Sequence, residues 1–174
     1  MKTFRTVLTT LVCTILFSIG FVNTAIAAAP APNLSVPSQI NCISSADFNG
    51  NKYADLAVAN GNRVTIFLGN GDGTFTAQTP ITFSAPVTDI ESGDIDGNGK
   101  IDLVVSSGKQ VIVLMGKGDG TFTKLEPINF PATVRSTALI NTNGNGKMDL
   151  AVGVGKKISI LFGNGDGTFS PATK

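Results

Sequence analysis

The stretch DIDGNGKIDLVV, residues 94–105, decides the fold. Its oxygen-bearing side chains stand at offsets 0, 2, 4 and 8, on Asp94, Asp96, Asn98 and Asp102, and the backbone carbonyl of Lys100 is available at offset 6. Calcium takes about six to eight oxygen ligands, and this spacing turns alternate residues of a tight loop toward one point. Because an EF-hand would need Glu where Val105 stands, the pattern predicts a calcium loop that leads into a strand.

The same pattern occurs three times along the chain. DFNGNKYADLAV begins at Asp47 and NTNGNGKMDLAV at Asn141, so the closing residues are 47 apart: Asp55, Asp102 and Asp149. A second motif, GNGDGTF or GKGDGTF, ends at the same interval on Phe75, Phe122 and Phe169. Two motifs in step predict three stacked or radial units, about 34–80, 81–127 and 128–174.

In every loop we expect four side chains and one backbone carbonyl to surround Ca²⁺. The expected ligands are Asp47, Asn49, Asn51, Tyr53 and Asp55 in the first loop, Asp94, Asp96, Asn98, Lys100 and Asp102 in the second, and Asn141, Asn143, Asn145, Lys147 and Asp149 in the third, with Tyr53, Lys100 and Lys147 contributing carbonyls. The loops carry two, three and one carboxylates, so up to three ions are expected, bound most tightly by the second loop and least by the third. The alternative is an Asx-type turn held by its own hydrogen bonds.

The strand pattern predicts an all-β fold with four short strands in each unit. In the second unit they fall at residues 87–94, 102–106, 110–115 and 122–130. The third strand is almost continuously apolar, which predicts burial on both faces, as in a sheet packed between two others. Residues 34–36 align with 81–83 and 128–130 and are expected to form an outer strand, while none follows Phe169. The array is therefore expected to close through this N-terminal strand or by homo-oligomerisation.

Residues 1–27 have the features of a secretory signal. Lys2 and Arg5 precede an apolar run over residues 7–22, and residues 25–27 read Ala-Ile-Ala. A retained signal anchor is the alternative. We expect cleavage, a proline-rich lead over 28–33, no later membrane span, and a secreted, periplasmic or cell-surface location. Cys42 is then the only cysteine, and we expect it to be a small buried side chain rather than half of an intermolecular disulfide.

Composition argues against catalysis and against nucleic-acid binding. The chain has no histidine, which excludes imidazole-based acid, base and zinc chemistry. Of its 12 acidic residues, nine lie in the three loops and in the repeated GDGTF turns, which leaves Asp89, Glu91 and Glu126. No basic cluster exceeds Lys156-Lys157. We expect a non-enzyme, and we interpret Asp72, Asp119 and Asp166 in the GDGTF turns as structural.

The two repeated motifs together resemble the FG-GAP or VCBS repeat family, the calcium-bearing blades of integrin-α-like β-propellers. The resemblance spans residues 34–174 and rests on D-x-D-G-N-G-x-x-D, an apolar strand, and L-x-G-x-G-D-G-T-F. It implies a β-propeller-type array of three four-stranded blades and a non-enzymatic scaffold or recognition module. The chain departs from the family at offset 4, where Asn51, Asn98 and Asn145 replace Asp, and at Lys52, where the other two units have glycine.

Three functions remain open at this point. The first is a secreted calcium-binding module for adhesion to, or recognition of, an extracellular protein or carbohydrate. The second is a purely structural repeat fragment with no ligand. The third is a calcium-dependent lectin, for which Tyr53 is the only obvious aromatic platform, since the chain has no Trp. Three blades are also fewer than the four to eight typical of propellers.

Overall fold

The computed structural model describes residues 34–171, which form 14 strands in three antiparallel sheets. No helix that could span a membrane occurs within this range. The expected signal over residues 1–27 and the lead over 28–33 lie outside the described residues.

Each sheet corresponds to one sequence unit. The first contains β1 (Ile40–Ala46), β2 (Asp55–Asn60), β3 (Arg63–Gly69), β4 (Phe75–Ala77) and β5 (Ile81–Thr82). The second contains β6 (Val87–Gly93), β7 (Asp102–Ser107), β8 (Gln110–Gly116), β9 (Phe122–Lys124) and β10 (Ile128–Asn129). The third contains β11 (Val134–Ile140), β12 (Asp149–Val154), β13 (Lys157–Gly163) and β14 (Phe169–Pro171).

The strands within a sheet follow the order of the chain, as the sequence predicts. β1, β2 and β3 are neighbours, and both β4 and β5 pair with β3. The prediction of one continuous fourth strand over 122–130 is wrong, because residues 125–127 separate β9 from β10. Pro127 and its counterpart Pro80 have no N–H with which to continue the ladder.

Neighbouring sheets pack face to face around two apolar cores. The first core lies between the first and second sheets and includes Val64, Ile66, Ile90 and Leu103. The second lies between the second and third sheets and is formed mainly by Val104, Val111, Val113, Val134, Leu150, Val152 and Leu161. Adjacent residues of β7 thus point into different cores. This confirms the predicted packing of sheet against sheet and the all-β, propeller-type array.

Burial of the third strand on both faces is confirmed for the first and second sheets, since all residues from Val64 to Phe67 in β3 are buried. In β8 the residues from Val111 to Leu114 are all buried. In β13, Ile158 is exposed and Ile160 is half-buried, so the prediction is wrong for the third unit. The physical reason is that no further sheet covers this face within the part of the chain that the structure describes.

The expected N-terminal outer strand is also absent from the described residues. Residues 34–36 precede β1 and form no strand. The third sheet has no counterpart of β5 and β10 among residues 34–171. In the third sheet such a strand would pair with β13, as β5 pairs with β3 in the first sheet. β1 packs instead on β6, and the first and third sheets share no ladder in this range. The three sheets therefore form an open array.

Candidate functional site

The three predicted calcium loops lie at equivalent positions, between the first and second strands of each sheet. They connect β1 to β2, β6 to β7 and β11 to β12. The second loop is the most acidic, and it brings Asp94, Asp96 and Asp102 together, with one carboxylate oxygen from each within 4.8 Å of the others. Two oxygens bonded to one calcium ion are separated by at most about 5 Å, twice the usual Ca–O distance. The three carboxylates therefore fit a single Ca²⁺.

Backbone hydrogen bonds hold the second loop in this shape. Asp94 Oδ1 accepts from the nitrogens of Gly97 (2.9 Å) and Asn98 (3.1 Å), and Asp94 Oδ2 accepts from Gly99 N (2.8 Å). Asp96 Oδ1 accepts from Asn98 N at 3.1 Å. A carboxylate oxygen has a second lone pair, so these bonds orient the acids and leave acceptor capacity for a cation.

Asp102 joins the second loop to the strand that follows it. It is fully buried, its Oδ1 accepts from Gly116 N at 2.7 Å, and its Oδ2 accepts from Ile95 N at 2.9 Å. Burial raises the pKa of Asp102, opposed by these two hydrogen bonds, and the nearby Asp96 and Asp94 add to the rise. A cation at this cluster would relieve the repulsion among the three carboxylates.

The first loop has the same geometry with fewer charges. Asp47 accepts from Gly50 N (2.8 Å) and Lys52 N (2.7 Å), and Asp55 is buried against the nitrogens of Phe48 and Gly69. Asn49 stands where the second loop has Asp96, so the loop has only two carboxylates. Its charge is therefore lower than that of the second loop.

The third loop replaces charge with neutral hydrogen bonds. Asn141 and Asn143 are exposed, and Asp149 is its only carboxylate. The N–H and the hydroxyl of Thr142 both donate to Asp149 Oδ2, and Gly163 N donates to Oδ1 at 3.0 Å. Burial raises the pKa of Asp149, but these hydrogen bonds outweigh it and the net shift is downward. Asp149 is thus held as a carboxylate without a second acid beside it.

The residues at offsets 4 and 6 have a structural role in every loop. The Oδ1 atoms of Asn51, Asn98 and Asn145 accept from the nitrogens of Tyr53, Lys100 and Lys147 at 2.7–2.8 Å. The side chains of Tyr53, Lys100 and Lys147 lie over Gly71, Gly118 and Gly165 of the GDGTF motifs. Coordination of a cation by their backbone carbonyls stays a prediction.

The GDGTF motifs form tight turns that the loops pack against. Asp119 Oδ1 accepts from Thr121 N (2.9 Å) and Thr121 Oγ1 (2.6 Å), and the same pair of bonds joins Asp72 to Thr74 and Asp166 to Thr168. The Thr hydroxyl bonds lower the pKa of these three aspartates. The arrangement agrees with the structural interpretation of these residues.

Two clefts between neighbouring sheets were not predicted from the sequence. The first, of about 240 Å³, is lined by Ile66, Gln78, Thr79, Ile81, Gly120, Thr121 and Phe122. The second, of about 300 Å³, is lined by Val113, Leu125, Glu126, Ile128, Gly167, Thr168 and Phe169. Every residue of the second cleft stands 47 positions after one of the first. The repeat therefore produces one cleft at each junction between sheets, which a reading of single motifs does not reveal.

A model of the FG-GAP-like repeat matches residues 47–105 and 94–140, which together cover more than half of the chain. This chain belongs to the FG-GAP-like repeat family. The first match spans the first loop and the second, and the second match spans the second loop through β11. A comparison of this chain with curated proteins finds no match.

A solved structure supports the propeller-type arrangement of these FG-GAP-like repeats. It is a lectin of Agrocybe aegerita, described as recognising non-reducing terminal N-acetylglucosamine specifically. The two chains are 24% identical with a TM-score of 0.59, over 75% of this chain and 36% of the lectin. At this identity the similarity shows the fold. The matched part of this chain spans only about a third of the lectin's length.

Proposed function

We propose that this chain is a secreted, non-enzymatic recognition module whose inter-sheet clefts bind carbohydrate and whose acidic loops bind calcium. The observation that carries the proposal is the recurrence of one cleft at both junctions, lined by residues one repeat apart. A repeated cleft gives one molecule several weak sites. Several weak sites suit the repeated sugars of a cell surface or extracellular matrix.

The chemistry of the clefts suits small, partly polar ligands. In the first cleft, Ile66 and Phe122 provide apolar surface, and Gln78 and Thr79 provide hydrogen-bonding groups. In the second, Glu126 takes the place of Thr79, so the two clefts should differ in affinity. Their volumes lie at or below the lower end of ligand pockets, which suits a single sugar residue rather than a long chain. The lectin relative makes terminal N-acetylglucosamine the first sugar to test.

Calcium is proposed as a structural ion of the loops. Asp94, Asp96 and Asp102 would hold it most tightly, with Asn98 and the Lys100 carbonyl as further ligands of this loop, because three carboxylates converge there. The first loop, with Asp47 and Asp55, follows, and the third, with Asp149 alone, comes last. Calcium when bound would neutralise the clustered acids and fix the loop against the following strand.

The alternative is a structural fragment without a ligand, or a module that recognises a protein. A glycan array that includes terminal N-acetylglucosamine, run on the purified chain with and without a calcium chelator, tests the proposal. We expect binding that the paired variants Gln78→Ala and Glu126→Ala weaken, since each removes a polar group from one cleft. Absence of binding to every glycan would contradict a carbohydrate ligand and favour the alternative.

A further inference from the structure

The two ends of the sheet array expose apolar residues at positions that the repeat buries elsewhere. On the third sheet Ile158 is 76% exposed, whereas Val64 and Val111, which precede it by two repeats and one, are fully buried. On the first sheet Ile40 is 43% and Ile43 53% exposed. Among the described residues, these are three of only four large hydrophobic side chains that are exposed.

The buried counterparts show what normally covers such positions. Val87 and Ile90, the counterparts of Ile40 and Ile43, share the first core with Val64, the counterpart of Ile158. At the second junction Val134 and Val111 again share one core. The outer face of the third sheet and the inner edge of the first are therefore the two halves of a junction that occurs twice inside the chain.

The polar contacts of the junctions recur with the same period. Val87 N donates to Gly61 O and Val134 N to Gly108 O, both at 2.8 Å. Their next counterparts are Ile40 N and Gly155 O, which stand at opposite ends of the array.

A side-chain hydrogen bond accompanies each backbone contact. Asn41 Nδ2 donates to Val87 O and Thr88 Oγ1 to Val134 O, both at 2.9 Å. The counterpart of Asn41 and Thr88 in the third sheet is Arg135, which is exposed and is also a donor.

We propose that the third sheet of one copy packs head to tail on the inner edge of the first sheet of a second copy, with the inner-edge pairing of residues that joins the sheets within one chain. Ile158 of one copy would then cover Ile40 and Ile43 of the other, with Gly155 O accepting from Ile40 N. A head-to-tail contact closes into a ring when the rotation permits. Two copies would give a ring of about six sheets, within the usual range of propellers.

Within this face of the first sheet, Ile40 and Ile43 are the large apolar side chains that are exposed. Val58 and Phe67, on the same face as Ile43, are already buried within the chain. The proposal therefore rests on contact at Ile40 and Ile43. This assembly depends on the fold and not on the proposed function.

The assembly would also complete one further cleft at each contact between the two copies. Ile66 and Val113 line the two existing clefts together with residues 120–122 and 167–169 of the following sheet. The next counterparts are Ile160 of one copy and Gly73, Thr74 and Phe75 of the other. Binding by this cleft, unlike the assembly itself, rests on the proposed carbohydrate function.

The test is the mass of the purified chain in solution, measured by native mass spectrometry and light scattering over a range of concentrations. We expect a dimer. The variants Ile158→Glu and Ile43→Glu should each be monomeric, because a carboxylate would be buried in the contact. The matched control Lys157→Glu places the same charge on the neighbouring, exposed residue of β13 and should remain dimeric.

Folding is checked separately by circular dichroism. Neither substitution should change the spectrum, because both positions are exposed in the single chain. Mixing Ile158→Glu with Ile43→Glu should restore a dimer in part, because one copy keeps a normal third sheet and the other a normal first sheet. A monomeric parent chain, a mass that grows beyond that of the dimer with concentration, or a dimer unaffected by either variant would overturn the proposal. None of these outcomes depends on glycan binding.

Discussion

Asp102 Oδ1 lies 2.7 Å from the backbone nitrogen of Gly116, and this contact joins the two repeated sequence motifs of the second sheet. The same bond joins Asp55 to Gly69 at 2.7 Å and Asp149 to Gly163 at 3.0 Å. The aspartate that closes each candidate calcium loop therefore also fixes the end of the third strand. Loop geometry and sheet geometry are coupled through one buried carboxylate.

Removal of the Asp102 carboxylate should destabilise the fold even without metal. Asp102→Ala leaves the buried nitrogens of Gly116 and Ile95 without acceptors, so we expect the free energy of unfolding to fall by about 2–4 kcal/mol. The measurement is urea unfolding in excess chelator. Asp119→Ala, which removes a carboxylate from an exposed turn, is the control and should cost about 1 kcal/mol or less. Equal losses would contradict the clamp role of Asp102.

Replacement of Lys52 should stabilise the first loop. Lys52 has φ 71°, whereas the equivalent Gly99 and Gly146 have φ 80° and 81°. An L-residue in this region costs roughly 1–2 kcal/mol, so Lys52→Gly should raise the free energy of unfolding by about 1 kcal/mol. Lys52→Ala keeps the strain and should not stabilise. Stabilisation of the same size by alanine would assign the effect to the loss of the lysine charge.

Calcium affinity should follow the number of carboxylates in each loop. Asp96→Asn removes one of the three converging acids and should weaken the tightest site about tenfold. Asn143→Asp, at the equivalent position of the third loop, should strengthen the weakest one. Calorimetric titration measures both, with Asp119→Asn as a control for net charge. If the third loop filled first, the charge argument would be wrong.

The thiol of Cys42 should react slowly. Burial raises its pKa to about 11 from an ordinary value of 9.0, and the nearby Asp89 adds to the rise. Because the thiolate is the reactive form, alkylation at pH 8 should be about 100-fold slower than for a free thiol, and should accelerate as the pH rises toward 11. Unfolding in urea should abolish the difference. A rate equal to that of free cysteine in the folded protein would contradict the partial burial of the thiol.

The repeat and the strand order could be predicted because both depend on local signals. Glycine turns, alternating oxygen ligands and apolar strands recur every 47 residues, and each fixes the conformation of its own segment. The convergence of Asp94, Asp96 and Asp102 followed from this spacing. The break at Pro127 was also visible in the sequence, but the apolar residues around it suggested one continuous strand.

The features that could not be predicted depend on pairs of units. The clefts combine residues such as Ile66 and Phe122 that are far apart in sequence, and no single motif marks them. The exposure of Ile158 and the absence of a strand over residues 34–36 depend on whether a further sheet lies beside them, and none does among the described residues. A pattern of apolar residues predicts that a face can be buried, and it does not say which molecule buries it.

The most direct test of the calcium-stabilised recognition module is thermal unfolding of the purified chain in excess chelator and in about 10 mM calcium. Binding to the native loops alone should stabilise the fold by about 1–3 kcal/mol for one site with calcium at 10 to 100 times its Kd. We therefore expect Tm to rise by several degrees in calcium, roughly 3–10 °C, and the rise to be smaller in Asp96→Asn. An identical Tm in the two conditions would contradict calcium binding by these loops.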